Sequence, residues 1–452
     1  MKLVKMSLAA AVLVGASAFA VDNVKVSGDA QVMYSTSDAG TGTLFDKEAS
    51  AADAGLNLNV SADLAKNSVV SVSAGAGYTV LSTLGLENNM VSNVWGAAHT
   101  ASINQGNGYV NAAHNGAKVE NANWMNEAWV AVSLNALSKS TVKVGRMELD
   151  TPLAFTEKWS IEKNTFEAAV LINQDLPDTT LVAAYVGNGN GTETFGTTAG
   201  VNNFNPHGGT NANGQSNVQI LGLAVGPVVN ANGNFTTYGT DGAYAAGIIN
   251  NSFKPLTAQA WYYDVSRLAQ AYWLQADLDA AKLGLAGVTA GAQYSAVKVD
   301  ATGTKEDNVY ALMLGYSMKD VFAAKVSYSA VNDNGSLGYA GLNTATSSAT
   351  AQSKLYTEAW WNYGQVTKSG AKSYNVTVTS PVAGLFDAAI AVTSVDQKAS
   401  AAKDMTEIAV TATKKFGPLD ATLAYVSTDF SKADTATLKD SNMVQAYLKL
   451  NF

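Results

Sequence analysis

Long stretches of this chain alternate apolar and polar residues with a period of two. Leu56, Leu58, Val60 and Ala62 are interleaved with Asn57, Asn59, Ser61 and Asp63, and the same beat returns at 70–79, 375–379 and 444–452. Successive side chains of a strand point to opposite faces, so this period predicts β-strands with one apolar and one polar face. The runs are about 10 residues long, nearly twice the ~5–6 of an ordinary strand. A tilted strand of ~9–11 residues is what crosses a bilayer.

The connections divide into two kinds. Eight are short, at 63–68, 134–141, 173–179, 252–256, 279–285, 318–322, 380–387 and 416–420, and carry turn formers such as Asn67, Pro177, Asp178, Pro255, Pro381 and Pro418. Most of the others are long and rich in Gly, Asn, Thr and Ser, notably 187–242 and 332–372. Short turns at one end and long loops at the other predict an all-β, antiparallel transmembrane barrel. Eight turns join sixteen strands; a first strand at 24–34 and a last at 441–452 bring the expectation to eighteen. Two further strand-like runs, 218–225 and 355–363, raise it to twenty if they also cross. The outward connection 265–269 is unusually short for its side.

Composition fits this reading and excludes others. Charged residues are 14% while the hydrophobic fraction is 47%, and ~25% charge is usual for soluble domains. A cylinder with lipid outside and water inside needs apolar residues on only half of each strand. No sheet edge can stay unpaired in lipid, so the sheet must close. Eighteen strands at ~4.8 Å spacing and ~40° tilt give a diameter of roughly 36 Å, too wide for wall side chains to fill, and a water-filled lumen is expected. Trp261, Tyr262, Tyr263, Tyr272, Trp273, Trp360 and Trp361 are expected at the membrane interfaces. There is no Cys for a disulfide or thiolate chemistry, and an excess of 36 acidic over 28 basic residues gives no footprint for nucleic acid. Residues 1–20 read as a cleaved secretory signal: Lys2 and Lys5, an apolar stretch at 8–14, and Ala18-Phe19-Ala20. Its removal takes the net charge from −8 to −10 and leaves 21–452 as one barrel domain.

The last strand ends in Phe452 with Leu450 and Leu448 in phase, which resembles the β-signal read by the barrel-assembly machinery. The opening MKLVKMSLAAAVLVGASAFA, with GRMELDTPLAFTEKW and NTFEAAVLINQDLPDTTLVAAYVG, resembles the major outer membrane porins of the Campylobacter-type (epsilonproteobacterial) group, most specifically over 145–187. The resemblance implies a homotrimer in bacterial outer-membrane lipid, passing ions and small hydrophilic solutes passively, often with a preference for cations. It implies no cofactor except calcium, which some such porins bind near the constriction.

The third outward connection, 148–163, is denser in charge and poorer in Gly than its neighbours. Between 146 and 167 stand Arg146, Lys158 and Lys163 against Glu148, Asp150, Glu157, Glu162 and Glu167. Carboxylates facing cations across a narrow wet gap would sort permeants by charge, and these eight residues are the expected constriction; an ordinary solvated loop is the competing reading. Arg146 shares parity with the apolar Val142 and Val144, unless a bulge at Gly145 turns it inward. Arg267, the other arginine, sits in the short 265–269 connection. His99, His114 and His207 lie in Gly/Asn-rich segments without a nucleophile and an orienting group beside them, so no enzyme is expected. The segments 187–191 and 332–335 lack the context of a phosphate loop or an EF-hand. The expectation is a passive channel with mild cation preference. The competing class is an exported surface-layer or adhesin-type structural protein, for which alternation ending in Phe452 has no use.

Overall fold

The computed structural model describes residues 21–40, 42–82, 84, 90, 91, 93, 94, 122–136, 138–158, 161, 163–190, 219, 220, 223, 224, 235–237, 241–300, 302–344, 351–398, 404–431 and 440–452. Eighteen long strands follow one another. The first six are β1 (Asp22–Ser37), β2 (Ser50–Lys66), β3 (Val70–Ser82), β4 (Ala122–Leu134), β5 (Ser140–Met147) and β6 (Phe166–Asn173). The next six are β7 (Thr179–Gly189), β8 (Ala243–Asn250), β9 (Leu256–Val265), β10 (Ala269–Asp279), β11 (Val288–Val299) and β12 (Asp307–Met318). The chain finishes with β13 (Phe322–Val331), β14 (Ala371–Val382), β15 (Phe386–Gln397), β16 (Met405–Phe416), β17 (Leu419–Phe430) and β18 (Ser441–Asn451).

Each strand pairs antiparallel with its sequence neighbours, and β18 closes on β1. All eight predicted turns lie at one end. Among the described residues the extra strand-like runs do not join the wall: 219–220 pairs with 223–224, and 355–363 holds no strand. The count is therefore eighteen, not twenty. Among the described residues no helix is long and apolar enough to cross a membrane, which leaves crossing by strands untouched.

Alternation sorts the two faces. Val130, Val142, Val144, Leu171, Leu312, Leu314, Val326 and Val376 are exposed on the outside, while Asn57, Thr79, Gln293, Asn375, Thr393 and Gln445 are buried inside. Each of the eight consecutive strands β7–β14 also turns a tyrosine outward: Tyr185, Tyr244, Tyr262, Tyr272, Tyr294, Tyr310, Tyr328 and Tyr374. Neighbours stack at an angle, with centroids 5.1 Å apart for Tyr185–Tyr244 and 5.3 Å for Tyr262–Tyr272. This is an interfacial girdle, but only part of the expected one. Trp261, Tyr263 and Trp273 point inward, fully covered, because their odd parity places them on the luminal face, and Trp360 and Trp361 lie in a loop.

The closing seam is built by the last residue. Phe452 N–H donates to the Gly28 carbonyl (3.0 Å) and Gly28 N–H returns the bond (2.8 Å). The Phe452 ring lies over Gly28, where a Cβ would come within 2.8 Å of it and 2.2 Å of the Asn57 carbonyl oxygen. Leu448 and Leu450 pair with Val32 and Ala30 and remain exposed on the outer face.

The apolar core sits inside the barrel. Trp261, Tyr263, Trp273, Val297, Val309 and Ala311 on the inner wall pack against Leu149 and Leu153 of the β5–β6 loop and Leu355, Ala359 and Val366 of the β13–β14 loop. The lumen is thus partly filled by two loops, where a water-filled lumen with one inward-folded constriction loop was expected.

Candidate constriction

Two loops fold inward: L3, between β5 and β6 (148–165), and L7, between β13 and β14 (332–370). L3 begins as a tight hairpin. Thr156 N–H reaches the Leu149 carbonyl (2.8 Å), and Thr151 bonds the Ala154 carbonyl through both its N–H (3.2 Å) and its hydroxyl (2.7 Å). Pro152 occupies the second position of that turn, where its fixed φ is favourable. Beyond the hairpin, Thr165 donates its hydroxyl to the Asn126 carbonyl (2.7 Å), and Gln31 of β1 donates its amide to the Ile161 carbonyl (3.3 Å). The loop therefore reaches from β5 to β1.

L7 crosses from the other side. Tyr356 donates its hydroxyl to Asp277 of β10 (2.5 Å), and Lys325 of β13 holds the Tyr356 carbonyl (3.0 Å). Glu407 of β16 accepts from the N–H groups of Trp360 (2.7 Å), Trp361 (3.0 Å) and Asn362 (2.8 Å), and from the Asn362 amide (2.9 Å). Trp360 donates its indole N–H to Gln445 of β18 (3.1 Å).

The loops are locked together. Asn343 of L7, 0% exposed, donates its amide to the Phe155 carbonyl and to Glu157 Oε1 (both 2.9 Å), and accepts from Phe155 N–H (3.1 Å). Gln352 N–H also donates to Glu157 Oε1 (2.9 Å), Thr344 N–H and hydroxyl donate to the Leu153 carbonyl (2.9 and 2.7 Å), and Lys354 pairs with Asp150 (2.5 Å). Glu157, expected as a pore-wall carboxylate, is only 1% exposed and serves as part of this lock.

The other expected residues separate into two groups. Glu148 pairs with Lys158 and Lys163, and Lys163 also reaches Glu127 (3.0 Å). Burial pushes the Glu148 carboxyl up, but Lys163 and Lys158 outweigh it and hold the group below its ordinary range. For Lys163 burial pushes down, and Glu148 and Glu127 overcome it to leave the ammonium raised. Arg146 stays in phase with Val142 and Val144. Gly145 has φ +127°, and a Cβ there would strike the Ala128 carbonyl, yet it does not turn its neighbour inward. Arg146 instead bonds Glu167 (2.8 Å) and the Met125 carbonyl (2.9 Å), with its guanidinium 3.9 Å from the Phe235 ring. Glu167 shares the parity of the outward Leu171, so this pair stands apart from the luminal cluster. Arg267 pairs with Asp241 at the rim. Glu162 and the three histidines lie outside the described residues.

Two cavities flank the loops. One, of about 480 Å³, is lined by Glu148, Leu149, Asp150, Thr156, Lys158 and Gln352. The other, of about 390 Å³, is lined by Lys158, Gln352, Glu358, Ala359, Trp360, Trp361, Thr422 and Tyr447. Lys158 and Gln352 belong to both, so they stand where the two chambers meet. L7 supplies half of this neck and was missed in the sequence. The available signal was Leu342, Leu355, Trp360, Trp361, Tyr363 and Val366, too apolar a set for a solvated loop.

Among the described residues calcium finds no ready ligands. Glu148 is engaged by two lysines, Asp150 by Lys354 and Glu157 by amides, and among the described residues no three His, Cys, Asp or Glu side chains converge as a metal site.

No family model and no curated protein matches the chain. Solved structures do. The outer membrane protein OpdK of Pseudomonas aeruginosa, crystallised with vanillate, is 12% identical, with TM-score 0.64 over 95% of this chain and 99% of that one. OccK8 (OprE) gives 12%, 0.64, 95% and 98%, and OccK11 (OpdR) 11%, 0.61, 95% and 96%, both from the same organism. The chain has the fold of these outer-membrane porins.

Proposed function

We propose that this protein is an outer-membrane porin through which ions and small hydrophilic solutes diffuse passively, with mild cation preference and no chemistry performed. The observation that carries this is the pair of water-accessible chambers meeting at Lys158 and Gln352 inside a closed barrel. Two carboxylates, Glu148 and Asp150, line the first chamber against one lysine, Lys158. Excess negative charge in a low-dielectric passage raises the local cation concentration. The surface-layer alternative has no use for an internal passage.

Residues 1–20 act in this reading as a cleaved export signal, and Phe452, Leu450 and Leu448 as the element handed to the barrel-assembly machinery. The homotrimer draws support from the girdle: β7–β14 each carry an outward tyrosine, whereas the other ten strands carry three, Tyr34, Tyr78 and Tyr425, among the described residues. The sparser arc is where copies meet, and the denser one faces lipid.

Reversal potentials under a KCl gradient test the selectivity. Glu148→Gln combined with Asp150→Asn should move the potential toward zero, and the wild-type preference should fade as the Debye length falls from ~10 Å at 0.1 M to ~3 Å at 1 M salt. A double variant with the parent's reversal potential would remove L3 from the selectivity assignment.

A further inference from the structure

We propose that the chamber lined by Glu358, Trp360 and Tyr447 is a binding site for a dipolar solute, an amino acid in zwitterionic form with an apolar or aromatic side chain. This rests on reading the chambers as the permeation path.

The cavity, about 390 Å³, is of the size that holds small molecules, ~300–1,000 Å³. Its wall contains an indole that faces water: Trp360 is 39% exposed. The ring is fixed, because its N–H is held by Gln445 and its backbone by Glu407. Tyr447 donates its hydroxyl to the same Gln445 oxygen (3.2 Å). A rigid, wet aromatic surface is a shelf for an apolar group at little entropic cost.

Opposite charges meet the same space without pairing with each other. Lys158 is the exposed lysine of its cluster, at 62%. Its partner Glu148 is also held by Lys163, so Lys158 can turn to a solute carboxylate without stranding a carboxylate of its own. Glu358 accepts Ser353 N–H at 2.9 Å and forms no ion pair among the described residues. Burial pushes its carboxyl up to about 8; Ser353 N–H and Lys325 of β13 oppose the push, and Glu157 of L3 adds to it. An arriving ammonium would draw Glu358 into its charged form. A neutral sugar could use the indole but would match neither charge. A monocarboxylate would leave Glu358 unmatched, and an amine would leave Lys158 unmatched.

The test is block of single-channel current in planar bilayers by L-phenylalanine, 3-phenylpropionate, phenethylamine and maltose. Wild type should be half-blocked by phenylalanine at a concentration about tenfold below either single-charge analogue, the worth of one charge-assisted hydrogen bond. Trp360→Ala should weaken all three aromatic probes. Glu358→Gln should abolish the discrimination between phenylalanine and 3-phenylpropionate, and Lys158→Gln that between phenylalanine and phenethylamine. The wild-type ranking decides alone if a variant does not assemble. Equal block by the three aromatic probes, strongest block by maltose, or no block at all would overturn the site while the ligand-free conductance leaves the pore standing. Absence of any conductance would instead bring down the pore reading.

Discussion

At Asn343 a single amide holds two loops whose sequences lie almost two hundred residues apart. Its carbonyl and its NH₂ bond the backbone of Phe155, and the NH₂ also reaches Glu157. Leaving buried partners unsatisfied costs ~1–3 kcal/mol, so Asn343→Ala should loosen L3 by that order without opening the barrel. Open-channel current noise should rise while heat-modifiable mobility persists; noise equal to wild type would deny the lock its role. Glu358 gives a second consequence at this scale. Its carboxyl is neutral below about 8 and negative above, so cation preference should strengthen between pH 7 and pH 9. The charged groups that face it are Glu157, Lys325 and Lys158. Glu358→Gln should flatten the reversal potential over the same range, and an unchanged slope would place the titrating group elsewhere. Arg146 was expected at the constriction against its own parity with Val142 and Val144, and the structure follows the parity. The burial of Glu157 was not legible, because it depends on Asn343 and Gln352, whose arrival no local pattern announces.

Strands and turns were legible element by element, since period-two alternation and turn chemistry are local. The fate of a long connection is not local. L7 has a polar, Gly-rich beginning that reads as an outward loop and an apolar second half that reads as a strand, and neither is what forms. Its apolar residues are buried against the inner faces of Trp261, Trp273 and Val309, an outcome set by the barrel around it. The closing strand β18 is the element whose role is most open to test. Phe452→Asp would place a charge on the outer face beside Gly28, where the ring now lies. Charges on the lipid face of a barrel cost up to ~2–4 kcal/mol for the worst cases, and the seam would also lose its aromatic cover. Export should be normal and insertion poor, read as loss of the heat-modifiable band from membranes. Wild-type yield would show that neither the seam nor the assembly signal depends on Phe452.

For the molecule as a whole, the sequence predicted a closed cylinder because eighteen half-apolar strands have no other way to satisfy their backbone in lipid. It did not predict that the lumen would be divided. One side is filled by an apolar core between L3, L7 and the inner wall, and in the proposed reading solutes pass through the chambers that share Lys158 and Gln352. Because the chain contains no Cys, a single introduced thiol can probe that neck cleanly. The decisive measurement is single-channel current through Gln352→Cys before and after a charged methanethiosulfonate reagent. A two-loop neck predicts stepwise loss of most of the current on labelling, reversed by a reducing agent. Full current with the thiol demonstrably modified would contradict it.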